Sequence, residues 1–249
     1  MAIDQALLEI AGRDQCAFLR VYSWAQPTLS LGYFQNYDER LTHEPSVELD
    51  VVRRSTGGGA IVHHHDWTYS VCVPDSLLKS SLGAVPELYE AIHESVVSWL
   101  AKFNVQASRF SEDPACKSDG CSFLCFERRS TGDVVSKDLK LLGSAQRRKY
   151  GALLQHGSLL LQRSIHAPSL DGTKELLLAA SETPNPSSND QDLVFDKLSA
   201  SQSDFGTVLV ESLETFCEIR LQKEGRLSDF LRFPLNPGIF SQDSWLRRR

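Results

Sequence analysis

The chain has no run of apolar residues long enough to cross a bilayer, and Met1 to Glu9 carries neither the basic start nor the apolar stretch of a secretory signal. No membrane association is expected, and the protein is expected in the cytoplasm. Its six cysteines (Cys16, Cys72, Cys116, Cys121, Cys125, Cys217) are scattered with no secretory context and no paired Cys-x-x-Cys spacing. That argues against a disulfide framework and a zinc ribbon, and for thiols. Positive charge is also short: 26 lysines and arginines face 32 aspartates and glutamates, a formal net charge of -6. Phosphate neutralisation needs a basic face, so no nucleic acid partner is expected. The glycine-rich run near residue 57 is followed by no Gly-Lys-Ser/Thr and is not spaced as Gly-x-Gly-x-x-Gly, which excludes a P-loop and a dinucleotide fingerprint. There is no internal repeat and no low-complexity tract.

What is present is an ordinary globular composition over 249 residues, 41% hydrophobic and 23% charged, enough to bury a sizeable core. Ala2, Ile3, Ala6, Leu7 and Ile10 recur at helical spacing and predict an opening amphipathic helix. Strand-like runs follow at 18–24, 28–32, 49–53, 60–63 and 68–73. A helix starting at Pro86 sends Leu88, Ile92, Val96, Leu100 and Phe103 to the core. After a cysteine-bearing loop at 111–122, further strands are predicted at 139–145 and 152–161. A proline, serine and asparagine-rich linker is predicted at 183–190 and a last helix at 203–223. The pattern predicts an α+β fold, a mixed β-sheet flanked by helices. It is taken as one domain over 1–249 with a helical C-terminal region from about 190.

Three groups of residues carry candidate chemistry. Arg53 to His63 places three consecutive glycines, Gly57, Gly58 and Gly59, beside Arg54 and His63, so backbone N–H groups can approach a ligand that the flanking side chains also meet. The same three glycines read equally as a flexible turn. His63-His64-His65-Asp66 invites a metal, but successive residues on a strand point to opposite faces, and no metal site is expected. Cys125 lies in Leu-Cys-Phe-Glu-Arg-Arg, next to cations that favour a thiolate, the competent nucleophile toward thioesters. By composition alone it reads as a buried apolar cysteine. Lys140 opens Lys-Leu-Leu-Gly-Ser-Ala-Gln, and alone reads as a surface charge.

In order along the chain, these pieces resemble the biotin/lipoate ligase and transferase superfamily. Met1-Ala2-Ile3-Asp4 is similar to its opening helix and Pro27 to Gln35 to its first strand and turn. Arg53 to His63 is similar to its Arg-Arg-x-Ser/Thr-Gly-Gly loop. Lys140 to Ala145, with Gln155-His156-Gly157-Ser158, is similar to its lysine strand and the His-Gly strand paired with it. The resemblance implies the fold of biotin/lipoate ligase catalytic domains, related to class II aminoacyl-tRNA and biotin synthetases. Within it, Cys125-Phe126 upstream of Lys140 resembles the octanoyl-carrier-protein transferases.

That resemblance implies a ping-pong octanoyltransferase without a cofactor. Cys125 takes octanoate from an acyl carrier protein as a thioester. It then passes the acyl group to a lysine of a lipoyl-domain protein, such as glycine cleavage H protein or a 2-oxoacid dehydrogenase acyltransferase subunit. Lys140 supports the thiolate and the acyl carbonyl. Arg54, Thr56, Gly57, Gly58, Gly59, His63, Gly143, Ser144, Ala145, His156 and Gly157 bind substrate. Gly59 stands where many of the transferases have arginine and ligases have glycine, which keeps an ATP- and magnesium-dependent lipoate–protein ligase as the alternative. A lipoyl amidotransferase and a non-enzymatic carrier-protein binding module are the others. Arg128, Arg129, Arg147, Arg148 and Lys149 are candidates for docking an acidic carrier protein.

Overall fold

A computed structural model describes residues 1–78, 83–111, 122–180, 188–221 and 243–247. The predicted linker at 183–190 and Cys116 and Cys121 lie wholly or largely outside them. The frame is an antiparallel hairpin. β8 (Leu139–Lys149) and β9 (Ala152–Leu160) pair from Leu142↔Leu159 to Lys149↔Ala152. The two-residue turn between them has positive φ at both Tyr150 (58°) and Gly151 (72°). That is the backbone twist that matches flanking strands, and it extends β8 past the predicted end at 145. β9 also pairs with β5 (Asp66–Pro74), and β5 with β1 (Phe18–Tyr22). β7 (Val134–Ser136) and β6 (Ser108–Arg109) complete a six-stranded sheet in the order β1-β5-β9-β8-β7-β6. A second sheet has β2 (Thr28–Leu31) between β3 (Asp50–Arg53) and β4 (Ile61–His63), with β2 and β3 parallel. The expected mixed sheet is thus divided: every pairing in the large sheet is antiparallel, and the parallel pair sits in the small one.

β5 is buried at all nine positions, yet its sequence alternates polar and apolar. Side chains on a strand point alternately to its two faces. Trp67, Tyr69, Val71 and Val73 join the main core under α2 (Pro86–Ala101) and α5 (Gln202–Cys217), against Ile92, Val96, Trp99, Phe205 and Leu209. On the opposite face, Cys72 of β5 and Leu154 of β9 are covered by Leu7, Leu8 and Ala11 of α1 (Ala2–Asp14). Further along that face come Thr68, Ser70, His156 and Ser158, all buried and all polar. Burying polar groups is costly unless they are paired or serve a site, so this face marks where function is built.

One helix stands where none was expected, α3 (Thr173–Ala180), and α4 (Ser188–Ser199) opens the C-terminal region expected to be helical from about 190. Ser188, Asn189 and Asp190, read as linker, open α4. Those residue types favour helix starts as well as turns, and local composition does not separate the two. α5 ends earlier than the predicted 223, where Glu218 turns to φ 55°. A short α6 (Asp243–Leu246) follows near the chain end. Among the described residues, no helix is long and apolar enough to cross a membrane.

Candidate active site

The glycine loop between β3 and β4 is shaped by Arg54. The guanidinium is buried and donates to the carbonyls of Ser30 (2.9 Å), Gly57 (2.7 Å) and Gly59 (2.7 Å). Burial lowers its pKa to about 10, although the nearby Cys125 works in the opposite direction. Gly58 has φ 91°, a conformation that favours glycine, and a side chain on Gly32 would strike the Gly58 carbonyl. The loop is then stitched to the cysteine segment. Ala60 N–H donates to the Phe123 carbonyl (3.0 Å), and Cys125 N–H donates to the Ala60 carbonyl (2.8 Å). Cys125 begins a single 3-10 turn, Cys125–Glu127, and is half-buried. Gly59 lies against its backbone, so close that a Cβ there would come 2.9 Å from the Cys125 nitrogen.

Lys140, on β8, reaches the same place from the sheet. Its Nζ lies 3.8 Å from Cys125 Sγ, 3.4 Å from the Cys125 carbonyl and 2.7 Å from Asp133 Oδ2. Lys140 and Asp133 are both buried. Gly143 makes the approach possible, because a Cβ there would sit 2.4 Å from Lys140 Cε and 2.8 Å from its Nζ. Gly143→Ala should therefore keep the fold, since the flexible end of a lysine can move aside, while pushing the ammonium off the sulfur. A displacement of that size costs about a hundredfold in rate. Octanoyl transfer measured beside a thermal melt checks this; a fully active Gly143→Ala protein would show that the lysine's place does not matter.

The cysteine opens onto a cleft of about 430 Å³, part of it open to solvent. Arg54, Gly57, Gly58 and Cys125 line one part of its wall, Ile61 and His63 of β4 another, and Gly143, Ser144, Ala145, His156, Gly157 and Ser158 of the β8–β9 hairpin the rest. Gly157 has no side chain where Ser144 Oγ and the Tyr69 ring meet. His63 stacks on Trp24 at 4.1 Å and meets Asp66 Oδ2 at 2.9 Å. Burial works to raise the Asp66 pKa, but His63 and the hydroxyls of Ser158 (2.6 Å) and Thr68 (3.0 Å) hold it below the usual value. His156 Nε2 lies 2.5 Å from Thr56 Oγ1.

Burial keeps His156 neutral, lowering its pKa to about 3, and does the same to His93 of α2. An unfolded histidine titrates near about 6.5. Each depressed value therefore contributes stability that is fully present above about pH 6.5 and is lost as pH falls toward 3, because only the unfolded chain takes the proton. The melting temperature should fall measurably from pH 7 to pH 5. Replacing both histidines by glutamine should flatten that slope; an unchanged slope would assign the acid sensitivity elsewhere.

The structure thus brings Cys125, Lys140, Arg54, Gly57, Gly58, His63, Gly143, Ser144, Ala145, His156 and Gly157 to one place. Thr56 and Gly59 stand behind the wall, Thr56 on His156 and Gly59 under Cys125. Sequence reasoning missed Asp133 and weighed Asp66 only as a metal ligand, since a carboxylate carries no local signal of a partner that only the fold brings to it. Arg53, read only as the first residue of the loop motif, donates to the Gly32 (2.7 Å) and Leu246 (3.0 Å) carbonyls and so ties α6 to the Gly32 turn. The basic run on β8 is engaged internally. Arg147 donates to the Ser55 carbonyl (2.6 Å) and covers the Tyr33 ring, and Arg148 pairs with Asp75.

A cysteine and a lysine thus converge at a cleft between two sheets, under a glycine loop, in a domain of the α+β class. The chain belongs to the lipoyl protein ligase A/B catalytic domain family, whose family model matches residues 1–181. Among curated relatives, Octanoyltransferase LipM of Kyrpidia tusciae is 39% identical over 167 residues, covering 65% of this chain and 61% of the relative. The Carboxydothermus hydrogenoformans protein of the same name is 37% identical over 168 residues, covering 66% and 61%. The chain spans about three fifths of the length of these relatives. Among solved structures, a lipoate-protein ligase A bound with ATP superposes with a TM-score of 0.64 at 19% identity, covering 99% of this chain and 92% of the other. A protein of Thermoplasma acidophilum described as a putative lipoate protein ligase gives 0.63 at 18%, covering 100% and 94%. These superpositions speak for the fold.

Proposed function

We propose that the chain is an octanoyltransferase of lipoate biosynthesis, transferring octanoate from an acyl carrier protein through a Cys125 thioester to a lysine of a lipoyl-domain protein. The observation that carries this is the 3.8 Å approach of Lys140 Nζ to Cys125 Sγ at the wall of the cleft. The names of the curated relatives support octanoyl transfer as the reaction. In the first half-reaction the Cys125 thiolate attacks the acyl carbonyl, the carrier thiolate leaves, and it takes a proton from the Lys140 ammonium. In the second, the acceptor lysine's amine attacks the thioester, Cys125 leaves as thiolate, and the amine's proton returns to Lys140. The enzyme ends as it began, and the net products are a free carrier thiol and an octanoyl amide. Charge building on the acyl oxygen faces the loop in both attacks and the Lys140 ammonium in the first.

Incubation with octanoyl carrier protein in the absence of ATP, followed by intact mass measurement, tests this directly. An added octanoyl group on Cys125, lost when a lipoyl domain is supplied, is the expected result. Acylation of the lipoyl domain only when ATP and free acid are present would replace this reading with a ligase.

A further inference from the structure

We propose that Asp133 is a positioning residue that keeps Lys140 charged and aimed at Cys125. The lysine has three N–H donors, and three acceptors surround it: Asp133 Oδ2 at 2.7 Å, the Cys125 carbonyl at 3.4 Å and Cys125 Sγ at 3.8 Å. Among these, Asp133 is the close one. Its carboxylate is buried and fixed from two further sides, by Tyr89 Oη on Oδ1 (2.9 Å) and by the Ser130 amide on Oδ2 (2.7 Å). A buried ammonium needs a counter-charge, and this carboxylate supplies it.

The turn that carries Asp133 is itself locked by a chain of hydrogen bonds whose direction is determined. The Gly132 carbonyl can only accept, so His93 Nδ1 donates to it (2.8 Å). His93 is neutral, so its Nε2 accepts from Ser144 Oγ (2.7 Å). Ser144 then accepts from Tyr69 Oη (2.6 Å), and Tyr69 from Gln155 Nε2 (2.8 Å). Gln155 Oε1 in turn accepts from Gln146 Nε2 (2.7 Å). The chain runs beneath β8 and β9 from the Gln146–Gln155 pair in the middle of the hairpin to the turn beside Asp133. Asp133 is thus held by Tyr89, by the Ser130 amide and by its turn, and its side chain touches Lys140, which in turn reaches sulfur.

The charged and titratable groups around the pair come from each neighbouring element. Tyr89 and His93 face it from α2, Arg54 from the glycine loop and Arg128 from the cysteine turn. Arg109 of β6 lies further out, paired with Glu90 and Glu94. Asp133 is the carboxylate in contact with the ammonium.

The catalytic importance of this arrangement rests on the transferase reading; the effect on the thiol does not. The test is the pH dependence of Cys125 alkylation by iodoacetamide, followed by peptide mass, which needs no acyl donor. Asp133→Asn should move the alkylation midpoint upward by about one pH unit, as Lys140→Ala does, because the unpaired lysine loses its proton. In the double variant no further shift should appear, since both changes remove the same charge. Asp133→Glu should restore most of the original profile, and Tyr89→Phe, which removes one hydrogen bond from the carboxylate, should give a smaller upward move. If Asp133→Asn fails to fold, the last two variants carry the test. A midpoint unchanged or lowered in Asp133→Asn, shifts that add in the double variant, or an unrestored profile in a folded Asp133→Glu protein would overturn the proposal. A wild-type protein that takes no octanoyl group would overturn the transferase reading alone, and the alkylation data would still judge Asp133.

Discussion

Cys125→Ser is expected to abolish octanoyl transfer, with kcat falling by at least about a thousandfold and no acyl-enzyme detectable by intact mass. Serine fills the same space and keeps the 3-10 turn, but an alkoxide is far harder to form than a thiolate, and one ammonium does not close that gap. The other described thiols are poor substitutes. Burial pushes the Cys72 thiol well up, raises Cys217 to about 11, and raises Cys16 as well. Cys116→Ser and Cys121→Ser, whose positions lie outside the described residues, should retain most activity. Retained turnover in Cys125→Ser, or its loss in either of the other two, would mean that the nucleophile is a different thiol.

Lys140→Ala should lose transfer by about a hundredfold to ten-thousandfold, the usual range for removing a positioned proton donor. It should also move Cys125 alkylation to higher pH, because a cation 3.8 Å from sulfur is gone. A second consequence separates this lysine from a solvated surface charge. Its partner Asp133 is buried, and breaking a buried pair from one side costs about 3–5 kcal/mol. The melting temperature of Lys140→Ala should fall accordingly, whereas removing an exposed lysine leaves it within about half a kcal/mol of the original stability. An unchanged melt together with an unchanged alkylation profile would place Lys140 outside the site.

Much of the architecture was legible because it rests on local periodicity. The opening helix, the Pro86 helix and the strands around 28–31, 50–53 and 152–160 follow directly from apolar spacing. β7 was not legible, since three residues carry too little pattern, and the start of α4 was hidden by residue types shared between turns and helix starts. In the site, the glycine loop, Cys125 and Lys140 were legible as ordered motifs. The face of the sheet was not. Thr68, Ser70, His156 and Ser158 look like the solvent side of ordinary half-buried strands, and only the second sheet and α1 packed over them turn that side into an interior.

The sequence by itself determined which elements form and which residue types are at hand: a thiol beside arginines, three glycines in a row, and a lysine at the start of a long hairpin. It also determined the charge and the absence of a transmembrane stretch, which depend only on composition. Tertiary structure decided what those residues do. The parallel bridge between Ala60 and Leu124 brings the loop to the cysteine, and Gly143 leaves the gap through which Lys140 reaches it. Asp133 supplies the buried counter-charge that no local spacing announces. Distances of a few ångströms between residues far apart in the chain come from packing, and the behaviour of buried charges is set by those distances.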